Sequence, residues 1–66
     1  MSATYKFYYT LSGNSTVQKK DYISSVNVNN VAVYFLSDNP NVSKIERIDI
    51  IADPNGINTD HALGYN

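Results

Sequence analysis

The residues that could do chemistry in this sequence are few, and their spacing limits each of them. His61 is the single histidine. Acid–base or nucleophilic catalysis needs a base near a nucleophile and a third group to orient it. The sequence positions no such partners around His61, which reads as a solvated tail residue. Glu46 and Asp49 fall on opposite faces of a strand pattern and do not converge. Asp53 and Asp60 flank a turn, where the ordinary task of Asp53 is to cap the turn with its own side chain.

The run from Asp53 to Asp60 also fails as a calcium loop. Such a loop wants oxygen ligands at positions 1, 3 and 5, Gly at 6 and a carboxylate at 12. Counting from Asp53, Gly56 falls at position 4, Ile57 at 5 and Gly64 at 12. Gly13, Gly56 and Gly64 are isolated, so no phosphate-cradling loop is present. Two glycosylation sequons, at Asn14 and Asn41, are expected by chance in a chain this rich in asparagine. The sequence predicts a non-enzymatic protein with no catalytic residue, no cofactor and no metal.

Lysine and tyrosine carry the remaining signal. Lys6 and Tyr8 alternate with Tyr5, Phe7 and Tyr9, so they project from the opposite side of a strand. Lys19 and Lys20 lie on the next strand, one on each face, and Tyr22 is assigned to the same open face as Tyr8. Tyr34 lies on the flank of a predicted helix. Lys6, Tyr8, Lys20, Tyr22 and Tyr34 are therefore the candidate partner-binding residues. Tyrosine is favoured at protein interfaces, and an open sheet face or edge can recruit another chain or a second copy of the same one. The alternative is single-stranded nucleic acid, with bases stacked on the tyrosines and phosphates met by the lysines. A third reading leaves the tyrosines only covering the sheet. Salt separates the first two, because only phosphate binding weakens steeply as salt rises.

Composition agrees with the protein-binding expectation. The 66 residues include five Lys/Arg and six Asp/Glu, a net charge of −1, which argues against a basic nucleic-acid binder. No run approaches the ~20 apolar residues of a membrane span, and no apolar leader follows Met1, so a cytoplasmic protein is expected. There is no cysteine, which excludes disulfides and thiolate zinc sites. Frequent Asn, with Ile, Lys and Tyr, suggests an AT-rich coding genome, that of a low-GC bacterium or its phage. At this length apolar burial barely offsets chain entropy, and dimerisation would add burial.

The elements that position these residues follow from periodicity. Residues 4–11 alternate as a strand with Tyr5, Phe7, Tyr9 and Leu11 on the core face. Ser12 to Ser15 form a turn, and residues 16–23 complete a hairpin over 4–23. Residues 25–39 place Val28, Val31, Ala32, Phe35 and Leu36 on one helical stripe, with Ser24 or Asn27 as N-cap and Pro40 beyond the end. A hairpin turning at Asn29 and Asn30 is the rival. Residues 44–52 form a third strand, apolar on both faces, which implies a central strand or a bulge between Ile45 and Ile48. A turn at Asp53-Pro54-Asn55-Gly56 leads to a short fourth strand at 57–60, and 61–66 form a tail. The expected fold is a small single α+β domain, ββαβ or ββαββ. Its antiparallel sheet has the order 2-1-3, with one helix packed on one face.

Overall fold

The computed structural model describes residues 2–58. Its elements are β1 (Ala3–Leu11), β2 (Gln18–Ser24), α1 (Val28–Asp38) and β3 (Val42–Ala52). They form a three-stranded sheet in the order β2-β1-β3, with β1 antiparallel to both neighbours. The helix covers one side of this sheet, a small α+β arrangement that matches the predicted order.

β1 alternates as its sequence requires: Ala3, Tyr5 and Phe7 are fully buried under the helix, and Tyr9 packs at the margin of the core. β2 begins at Gln18 rather than Thr16, because the intervening residues are used by the turn. Gly13 takes a positive φ of 78°, the Asn14 amide donates to the Leu11 carbonyl at 3.0 Å, and the Asn14 side chain accepts the Thr16 amide at 2.9 Å.

The helix, not the hairpin, forms over residues 28–38, three residues shorter at its start than the sequence pattern suggests. Ser24 does not cap it; its Oγ accepts the Val26 amide at 3.1 Å and holds that backbone in a turn. Asn27 is the N-cap residue, with its carbonyl accepting the Asn30 and Val31 amides. Val28, Val31, Ala32 and Phe35 form the buried stripe, whereas Leu36 is exposed, so the apolar face is narrower than expected. Ile23 is also exposed, paired with Thr4 on the side of the sheet away from the helix. Asn39 ends the helix before Pro40, its side-chain Nδ2 donating to the Phe35 carbonyl at 2.9 Å and its backbone amide to the Leu36 carbonyl at 3.3 Å.

β3 is an edge strand, and bulges account for its two apolar faces. The register steps from Tyr8↔Arg47 to Tyr9↔Ile45, leaving Glu46 as the extra residue. That step returns Ile45 to the face of Ile48 and Ile50, beneath the helix. The core centres on Phe35, whose ring stacks on Phe7 with centroids 3.9 Å apart. Tyr22 meets both rings edge-on, at 5.7 and 5.4 Å. Ile57 and Asn58 form a turn instead of opening a fourth strand. The rest of that predicted strand, His61 and the predicted tail lie outside the described residues.

Candidate functional site

The side of the sheet away from the helix carries no covering layer among the described residues. Its side chains are set by the ladder, since directly paired residues share a face. Asp21, Lys6 and Asp49 stand in one row across the three strands, and Lys19, Tyr8 and Arg47 in the next. Ile23, Thr4 and Ala52 form the row beyond Lys6, and Lys44 pairs with Thr10 beyond Tyr8. Neighbouring rows thus carry opposite charge on their outer positions.

The two rows are linked. The Arg47 guanidinium lies 4.9 Å from the centroid of the Tyr8 ring, close enough for a cation–π interaction. It also grips Asp49 with two parallel bonds, Nε to Oδ1 at 2.7 Å and Nη2 to Oδ2 at 2.9 Å, the fork geometry that fixes both planes. This guanidinium holds the Asp49 carboxyl below the usual carboxylate range, helped by the Tyr8 hydroxyl and the charge of Lys6. At the β3 edge, Lys44 reaches Glu46 at 3.8 Å, and the Ser43 hydroxyl donates to the Thr10 carbonyl at 3.2 Å.

The five predicted binding residues are not gathered on this face. Lys6 and Tyr8 are there. Tyr22 pairs with Tyr5, and Lys20 with Phe7, so both stand on the helix side. The Tyr22 hydroxyl donates to Asp38 Oδ2 at 2.6 Å, and Lys20 Nζ donates to Asn39 Oδ1 at 3.1 Å. Both clamp β2 to the C-terminal end of α1. Tyr34 is exposed on the outside of the helix with Val33, remote from Tyr8 across the sheet. The partition of β2 into two sets was legible, but its facing was inverted. On the helix side the ring of Tyr22 packs edge-on against the stacked rings of Phe7 and Phe35, burial that the open side of the sheet does not offer. A shift of one residue in register exchanges every side chain between faces, so Lys19 and Asp21 take the open positions assigned to Lys20 and Tyr22. Arg47 and Asp49 join them from β3. Their odd spacing from Ile48 and Ile50 was the available signal.

The carboxylates behave as their spacing implies. Glu46 is engaged with Lys44, and Asp49 with Arg47. Asp53 accepts the Ile57 and Asn58 amides, both at 2.8 Å, which is the turn-capping role. No cluster of three or more potential metal ligands, and no pocket, occurs among the described residues. No helix of the described residues is long and apolar enough to cross a membrane.

Compared with known protein families, with curated proteins and with solved structures, the chain matches none.

Proposed function

We propose that this chain is a small non-enzymatic binding module, acting in the cytoplasm as a partner or modulator of another protein or of a second copy of itself through the open face of its sheet. The carrying observation is the pair of adjacent rows Asp21–Lys6–Asp49 and Lys19–Tyr8–Arg47. They present a tyrosine, an arginine and charges of both signs on a rigid ladder, a composition that suits a protein surface. The face is a better candidate than the edges. β2 is short and charged, and β3 is broken by three register shifts, both devices that discourage strand addition.

Single-stranded nucleic acid is the second reading, favoured by Lys19 and Arg47 on either side of Tyr8. Against it, Arg47 already occupies the ring that a base would stack on, and two aspartates stand in the next row. Capture by the tagged chain after nuclease treatment separates the readings. Protein recovered by the unaltered chain and lost with the Tyr8→Ala/Arg47→Ala double variant is the expected result. Recovery that vanishes with nuclease, and falls steeply with salt, would transfer the face to nucleic acid. Protein recovery indifferent to the double variant would remove the open face from the function.

A further inference from the structure

The charge pattern of the open face is complementary to itself, and only in one orientation. We infer that the partner is a second copy of this chain, docked open face to open face. The two-fold axis runs across the strands, between the level of Lys6 and the level of Tyr8. This rests on the reading of the open face as a protein-binding surface and names its occupant.

A face-to-face homodimer needs a two-fold axis lying in the plane of the interface. Two choices keep the strands of both copies aligned. An axis along β1 sets each row on its own image: Asp21 faces the partner's Asp49, and Lys19 faces the partner's Arg47. Like charges meet at all four outer positions. An axis across the strands exchanges the two rows. Asp21 then faces the partner's Lys19, Asp49 faces the partner's Arg47, and Lys6 faces the partner's Tyr8. Every outer position meets its opposite charge; Arg47 keeps its bonds to Asp49 and its place over the Tyr8 ring of its own chain, so the new attraction comes chiefly from Asp21 and Lys19.

The apolar residues at the ends of β2 fall in with the same axis. Ile23 is the last open-face residue of β2 at one end and Val17 precedes the strand at the other, with relative exposures of 69% and 49%. The axis across the strands brings the Ile23 end of one copy to the Val17 end of the other. Aligned sheets pack with a rotation of about 30°, which moves the outer pairs by roughly 3 Å, within reach of Lys and Arg side chains. Three strands of this length offer on the order of 400 Å² per copy, about half a standard interface. The dimer is accordingly reversible, concentration-dependent and weakened by salt.

Charge exchange tests the arrangement. Lys19 and Asp21 are exposed on an edge strand. Lys19→Asp alone sets two aspartates against each other twice in the dimer, and Asp21→Lys alone does the same with two lysines. An equimolar mixture of the two variants restores opposite charges at both places. Sedimentation equilibrium should show a dimer for the unaltered chain, dimerisation weakened about tenfold or more for each variant alone, and recovery in the mixture. A chain that stays monomeric to millimolar concentration overturns the inference, as do variants that dimerise like the unaltered chain or a mixture that fails to recover. A monomer that still captures a different protein in a Tyr8- and Arg47-dependent way leaves the binding face standing and removes only the second copy. Should either variant lose its circular dichroism signal, the unaltered protein answers alone. Zero-length carbodiimide coupling of mixed labelled and unlabelled chains should join Lys19 to the partner's Asp21, and its absence counts against the dimer.

Discussion

The side-chain carbonyl of Asn58 accepts the amide of Val28 at 2.6 Å, across 30 residues of sequence. The helix is therefore capped from outside its own segment, since the N-cap residue Asn27 makes no side-chain capping bond. Asn58 is buried, and its amide nitrogen donates to the Tyr5 hydroxyl at 2.8 Å. That hydroxyl donates onward to the Val26 carbonyl at 2.7 Å. Asp53 holds Asn58 in place by accepting its backbone amide at 2.8 Å. One polar chain thus ties the turn after β3 to the central strand and to the start of the helix, with no buried side-chain polar atom unpartnered among the described residues.

Breaking this chain should be costly. Asn58→Ala strands the Val28 amide and removes a donor from Tyr5, and Tyr5→Phe strands the Val26 carbonyl and the Asn58 amide. Each is expected to destabilise the fold by about 1–3 kcal/mol. Urea unfolding checks this, and the double variant should cost less than the sum of the two singles because they share partners. Full additivity would show that the network is not acting as one.

Phe35→Ala removes the ring that stacks on Phe7, receives the edge of Tyr22 and meets Tyr9 at a tilt. Loss of a buried Phe costs about 3–5 kcal/mol, against a total of roughly 3–10 kcal/mol for a chain of this length. The variant should show little or no cooperative thermal transition by circular dichroism, whereas Tyr34→Ala, exposed on the same helix, should melt within a few degrees of the unaltered chain.

Tyr22 gives the fold a dependence on alkaline pH. Its donation to Asp38 raises the phenol to about 12, with burial adding to the effect. A group whose folded value lies above its unfolded value stabilises fully below the unfolded one, near 10, and loses that contribution as pH rises through the folded one. Tyr22→Phe should therefore be less stable than the unaltered chain at neutral pH, with the gap closing between pH ~10 and ~12. A gap that stays constant across that window would mean that the Asp38 bond contributes nothing.

Asp49 has the opposite sign. Its lowered carboxyl contributes stability above the ordinary Asp value and loses it as pH falls through the folded one. The pair is solvent-exposed, so the gain is small, and nuclear magnetic resonance titration is the sharper measure. In Arg47→Ala the Asp49 midpoint should move up toward the ordinary carboxylate range. An unmoved midpoint would show that the guanidinium is not what holds it down.

Much of this architecture was readable from local chemistry. The period-2 run of Tyr5, Phe7 and Tyr9 and the stripe Val28, Val31, Ala32 and Phe35 each name one element and one buried face. The bulge in β3 was one of two readings that Ile45 and Ile48 allowed. β2 was where reading failed. Gln18, Lys20, Tyr22 and Ser24 alternate with Lys19, Asp21 and Ile23, and hydrophobicity hardly prefers one set over the other. Tyr34 was placed correctly on the helix flank, but the thickness of the sheet separates it from Tyr8.

Strand and helix periods and the turn residues Gly13, Asp53 and Pro54 are properties of neighbouring residues, so the chain order alone determined them. The facing of β2 and the two charged rows depend on which residue stands opposite which, and the capping of α1 by Asn58 depends on what lies beside Val28 in space. Those relations exist only once the aromatic cluster around Phe35 chooses the register, because a ladder passes one pairing choice to every side chain along it.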